Sequence, residues 1–294
     1  MARVITPWCA DLLARARPQI VSLHAGPERL KAPAAALAKR TRELVPDVRL
    51  HVGIGCDYWV KLAAKGGCTV SRAVQALVVS TQIALDIGAE AAVADTESAS
   101  KLNPVQAAEI ARAWIGESRV LAPRLILGHT AYDQPHNHGK YPWAAWLGTG
   151  GVDWEVAQVY CAPEDGSVAQ RGALQTRRDK HKSSWQRGVR SLGIRADLPV
   201  DWYHQGHHVL SVDTIAVGCE PEVVMIWGGP ELPNGRLDAE GATSLVALCE
   251  LERLGYRRPG GIADYQRSKR LQLDGVCGRL TLAALGIDSP SAPQ

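Results

Sequence analysis

Short apolar runs, each followed by a longer stretch with helical spacing, recur along the first 230 residues and constrain the fold more than any other feature. The runs are RVITPW (3–8), QIVSLHA (19–25), VRLHVGI (48–54), AAVADTE (91–97), RLILGHT (124–130), WEVAQVY (154–160), DWYHQGH (201–207) and EVVMIWG (222–228). Nearly all-apolar strands belong to parallel sheets covered on both faces. Between them, KAPAAALAKRTREL carries Ala and Leu at helical intervals. TVSRAVQALVVSTQIALDIG opens on Thr69 and closes on Gly88, and NPVQAAEIARAWI offers Asn103 as N-cap with Pro104 at the first helical position. The expected fold class is α/β. Eight strands alternating with helices predict a (β/α)8 TIM-like barrel, with an open doubly wound sheet as the alternative. Neither G-x-G-x-x-G after the first strand nor G-x-x-x-x-G-K occurs, so the usual nucleotide-binding loops are missing.

After Trp227 the texture changes. The expected organisation is a barrel over 1–230, a Gly/Pro-rich linker over 231–240, a small all-α three-helix domain over 241–288 and a disordered tail over 289–294.

Charge and cysteine usage narrow the classes further. The formal net charge is +3, and the local basic run RRDKHKSSWQR reads as a solvated helix face, so nucleic acid is not an expected partner. No stretch approaches the ~20 apolar residues of a membrane span. Seven cysteines without a C-x-x-C read as mostly reduced thiols in a chain made in the cytoplasm. The N-terminus lacks a continuous apolar segment, so no Sec signal is expected. Nine Trp and seven Tyr with no Phe give rings that carry polar handles, suited to a sugar cleft or to a core.

The sharpest chemical feature is D-x-E at the end of AAVADTE. In a strand, residues two apart share a side, so Asp95 and Glu97 are expected to face the same way with Cα atoms ~6.6 Å apart. Two neighbouring carboxyls of unequal solvation titrate apart, one serving as acid while the other stays charged. Glycoside cleavage needs that division, and barrel enzymes place their sites at the carboxyl ends of the strands.

Counted from residue 3, this strand is the fourth, and the arrangement resembles the barrel-fold muramidases of glycoside hydrolase family twenty-five. The resemblance implies Glu97 as general acid, with Asp95 as stabiliser or participant. The family's first-strand Asp has no counterpart here. Asp11 falls late, and Asp57 after VRLHVGIGC is the substitute. His129, Tyr160 and Trp227, at later strand ends, are the expected substrate-facing residues. YQRSKRLQLDGVCGRLTLAAL (265–285) resembles the three-helix peptidoglycan-binding domain of cell-wall hydrolases through Tyr265, Gln266, Leu271, Leu273, Asp274, Gly275, Gly278, Thr281 and Leu285. Tyr265 and Asp274 are its expected ligand-side residues. The family's second D-G turn is replaced here by RRPGG.

These resemblances imply a peptidoglycan hydrolase of the endolysin kind, acting on bacterial cell wall after lysis or particle delivery, without cofactor or membrane contact. Two other readings stand beside it. One is a non-catalytic wall-binding or structural component of a phage or injection particle. The other is a zinc-dependent wall amidase or peptidase drawing on His129, His136, His138, His204, His207 and His208. Neither H-E-x-x-H nor H-x-x-E-H occurs, so no metal is expected.

Overall fold

The computed structural model describes residues 7–25, 33–55, 59, 62–63, 65–97, 103–132, 134–158, 180, 183–205, 224–227, 239–256, 261–275 and 277–288. Seven of the eight expected strands are present: β1 (Ile20–Ala25), β2 (Arg49–Gly55), β3 (Ala91–Asp95), β4 (Ile126–Thr130), β5 (Trp154–Gln158), β6 (Val200–Gln205) and β7 (Val224–Trp227). β1 to β5 pair in sequential order, each parallel to the next, and β6 pairs parallel with β7.

The expected first strand is the exception. Pro7 and Trp8 open a helix, α1 (Pro7–Ala16), and residues 3–6 lie outside the described residues. A Pro needs no amide hydrogen in the first helical turn, and the following CADLLARA supplies good helix formers. Among the described residues the D-x-E strand is the third.

The chain divides into two compact units. The first holds β1 to β5, the start of β6 and the helices α2 (Ala34–Leu44), α3 (Val70–Asp86), α4 (Pro104–Leu121) and α5 (Trp143–Leu147). Sequence sets the ends of its long helices. Thr69 Oγ1 accepts from the Arg72 amide at 3.2 Å, and Asn103 Oδ1 accepts from the Val105 amide at 2.9 Å with Pro104 following. Each cap contributes about 1 kcal/mol. A buried bond of 2.8 Å between Thr81 Oγ1 and Ser118 Oγ ties α3 to α4.

The register sorts the strand residues onto two faces. One carries Leu50, Val52, Ile54, Ala92, Ala94, Leu127, His129 and Glu155, all essentially inaccessible. Trp146 of α5 lies against His129 with ring centroids 4.9 Å apart, and Trp114 of α4 lies against Trp146. This face is covered by helices. Burial of each large aliphatic here contributes about 1.5–3 kcal/mol.

The other face carries His51, Gly53, Val93, Asp95, Gly128, Thr130 and Trp154. His51 on β2 and Trp154 on β5 are three strand spacings apart, roughly 14 Å in a flat sheet. Their ring centroids lie 5.5 Å apart. The sheet is rolled around this face as a parallel β/α half-barrel. Gly128 makes the crossing possible, since a Cβ there would lie 3.1 Å from Trp154 Cε3 and 3.0 Å from Val93 Cγ2.

The second unit contains α1, the pairing of Trp202–Gln205 with β7, and the helices α6 (Ala239–Arg253), α7 (Gly261–Ser268) and α8 (Arg279–Ala284). The three expected C-terminal helices form, and they share a core with Ala16 of α1: Val246, Ala247, Leu251, Ile262, Tyr265 and Leu282 are buried together with it. The D-G turn is held by one side chain. Gln266, 1% exposed, donates through Nε2 to Asp274 Oδ1 (2.8 Å) and to Thr281 Oγ1 (3.1 Å), while its Oε1 accepts from the Gly275 amide (3.0 Å). Gly275 has φ +66°, a left-handed conformation that suits glycine.

Candidate functional site

Strand β3 ends at Asp95, and Asp95 lies on the concave face at the carboxyl end of the sheet. Its Oδ1 accepts a hydrogen bond of 3.3 Å from Nε2 of Gln158, the last residue of β5, across the intervening β4. Thr130 of β4 is Asp95's register partner. The Thr130 hydroxyl is buried with no hydrogen-bond partner, and the residue is 4% exposed. A buried hydroxyl without a partner carries a desolvation cost, which a polar group entering beside it would offset.

Extended geometry does not continue to Glu97. The Thr96 amide keeps a ladder bond to Thr130 O (3.1 Å), and Glu97 then turns into 3-10 geometry. Its carbonyl accepts from the Tyr132 hydroxyl at 2.8 Å. Tyr132 pairs with Gln158 through an isolated parallel bridge and is stacked by the His138 ring, with centroids 3.7 Å apart and planes 5° from parallel. The rim over β3, β4 and β5 thus brings together Asp95, Glu97, Thr130, Tyr132, His138 and Gln158. The Asp95 carboxylate, an amide, a hydroxyl and flat rings lie together there, and Glu97 reaches Tyr132 through its main-chain carbonyl.

His129 separates from this group. His129 is fully buried on the helix-covered face, so it does not line the concave side. Its Nδ1 bonds Glu155 Oε2, and its Nε2 lies 2.6 Å from the Tyr141 hydroxyl and 2.8 Å from Thr96 Oγ1. Thr96 and Tyr141 also bond each other. Burial pushes the Glu155 carboxyl above its ordinary range, with the His129 charge and hydrogen bond pulling it back. Glu155 Oε1 has no partner.

Tyr265 is 1% exposed, and its hydroxyl donates to Ala284 O at 2.7 Å. It packs the helical core, whereas Asp274 is exposed and anchors the turn. Trp227 ends β7. Asp57 and Tyr160 lie outside the described residues, as do His207 and His208. Among the described residues no group of three or more His, Cys, Asp and Glu is placed to hold a metal ion, and no helix is long and apolar enough to cross a membrane.

At the amino end of the concave face, burial holds His51 below the usual histidine range. Glu90 opposes that shift and Arg49 adds to it. Nδ1 of His51 has no hydrogen-bond partner, and Nε2 lies 3.7 Å from Glu90.

Sequence reasoning missed Thr130, Tyr132 and Gln158. The signal was available for Gln158, which shares strand parity with Trp154 in WEVAQVY. For Tyr132 only its place just after a strand end pointed to the rim.

Neither protein-family models nor curated protein sequences match the chain. Solved structures are similar in fold. An exo-β-1,4-mannosidase from Opitutaceae bacterium strain TAV5 aligns at 12% identity over 84% of this chain and 55% of its own, with a TM-score of 0.53. D-psicose 3-epimerase from Clostridium cellulolyticum H10, with D-tagatose, aligns at 10% identity over 86% of this chain and 94% of its own, with a TM-score of 0.52. A GH18 chitinase from Pseudoalteromonas aurantia aligns at 12% identity over 76% and 92%, with a TM-score of 0.46 that is too low to assign a fold. The first two likenesses are of fold, that of the β/α barrel.

Proposed function

We propose that this chain is a glycan-cleaving hydrolase whose reacting carboxyls are Asp95 and Glu97, with bacterial peptidoglycan as its substrate. The observation that carries the reading is the position of Asp95: concave face, carboxyl end of its strand, bonded to Gln158 and flanked by the unpartnered Thr130 hydroxyl. In this reading Glu97 protonates the leaving oxygen, and Asp95 stabilises or attacks the developing sugar cation. The Tyr132–His138 stack offers a face for a sugar ring. The mannosidase and the epimerase, proteins of similar fold, are both named for sugar chemistry, which favours a carbohydrate over a peptide substrate. The C-terminal helices, whose pattern resembles that of wall-binding domains, would hold the wall while the barrel cuts.

The test is digestion of purified peptidoglycan, followed by turbidity and by mass spectrometry of released fragments, with chitin oligomers and β-mannan in parallel. Cut sugar chains, lost in Glu97→Gln, support the reading. Cut peptide stems, sugars interconverted without cleavage, or no product from any glycan would overturn it.

A further inference from the structure

Thr96 separates the two carboxyl residues in sequence, and its side chain goes the other way. While Asp95 faces the concave side, the Thr96 hydroxyl is buried behind the sheet against His129 Nε2 (2.8 Å) and the Tyr141 hydroxyl. Tyr141 lies 2.6 Å from the same nitrogen, and His129 Nδ1 is bonded to Glu155. Thr96, His129, Glu155 and Tyr141 are at most 3% exposed, and the rings of Trp143 and Trp146 pack against His129. An apolar helical face has no need of four polar side chains, and replacing all of them by apolar groups of like shape is often neutral or stabilising. Their common end point is the residue between Asp95 and Glu97.

We infer that Glu155, His129 and Tyr141 are positioning residues, which clamp Thr96 from behind the sheet and thereby set the angle at which β3 leaves the barrel and presents Asp95 and Glu97. With Glu155 ionised, His129 carries its proton on Nδ1 and donates it to the carboxylate. Nε2 then accepts from one hydroxyl of the Thr96–Tyr141 pair, and the second hydroxyl donates to the first. The chain has a single direction, so changing the far end at Glu155 is felt at Thr96. The inference rests on the reading of Asp95 and Glu97 as the reacting carboxyls.

The experiment uses the full chain, with backbone resonances assigned and activity followed on peptidoglycan. Tyr141→Phe and Glu155→Gln are remote in sequence from Asp95 and Glu97. Each is expected to shift the amide resonances of Asp95 and Glu97 and to lower kcat about tenfold at unchanged KM, since small misplacements of reacting groups are costly. Thr96→Val is expected to lower kcat similarly, and Thr96→Ser to restore it. Thr81→Val, which breaks a buried hydroxyl pair elsewhere under the same sheet, serves as control and should leave both readouts alone. Unmoved Asp95 and Glu97 amides in folded Tyr141→Phe and Glu155→Gln would overturn the inference, as would a Thr96→Val loss that Ser does not restore. A wild-type chain that cleaves no glycan overturns the proposed function instead, and the resonance shifts still decide the clamp.

Discussion

Asp95 and His129 sit one register step apart on neighbouring strands, and their side chains leave the sheet on opposite sides. Asp95 meets Gln158 over the concave face, and His129 meets Glu155 under the helices. The Asp95 carboxylate is therefore displayed in front, and the His129–Glu155 pair is buried behind.

Glu97→Gln and Asp95→Asn are expected to reduce glycan cleavage by about 10²–10⁴-fold, the usual worth of a general acid or its partner. Both residues stand at the rim, so thermal melts of the variants should stay close to wild type. Initial rates and calorimetric scans on the same preparations check this.

Glu155 should make the fold less stable as pH rises. Its folded value lies above the 4.5 of a free carboxyl because burial disfavours the charge. The folded state therefore binds the extra proton, and stability falls as pH climbs from that free value through the raised one. In Glu155→Gln this decline should vanish, which a series of melting temperatures between about pH 4 and pH 8 would detect.

His51 should act in the opposite sense. Its folded value lies below 6.5, chiefly through burial. The unfolded chain takes up the proton first, so stability is full above that value and is lost as pH falls toward the lowered one. Glu90→Gln removes the carboxylate that opposes the shift, so the acid-side loss should deepen and extend to lower pH while its onset stays at the free value. Titration of the His51 ring by NMR reads the change directly.

Gln266→Ala should destabilise the C-terminal helices by about 2–4 kcal/mol, because it strands the buried Thr281 hydroxyl, frees the turn and opens a cavity. Chemical denaturation followed by helical circular dichroism measures the loss. Gln266→Glu, which keeps the shape but removes both donors, should fall between.

Much of the scaffold could be read from the residues. Thr69 and Asn103 announced their helices because capping is local chemistry. Six apolar runs and EVVMIWG became strands because a buried parallel strand tolerates little else. Of RVITPW, Pro7 and Trp8 belong to a helix, because the fixed φ of Pro7 suits a first helical turn, and residues 3–6 lie outside the described residues. The place of D-x-E at a strand end was also legible. Its surroundings were not, because a side chain's partners across a sheet depend on register. His129 looked like a cleft residue until its parity with Ala94 put it behind the sheet. Glu155, a lone acid inside WEVAQVY, asked for a buried partner, yet nothing in sequence spacing joined it to His129. Around Tyr265 and Asp274 the pattern acts locally: Gln266 bolts the turn shut while Tyr265 fills the core.

The crossing of Trp154 over Gly128 toward His51 has a consequence for anything that visits the rolled sheet. Indole and imidazole lie at the amino end, where β2, β3, β4 and β5 begin, and they act as a floor. Whatever descends the concave face of β2 to β5 from Asp95 meets these two rings before it reaches the strand starts.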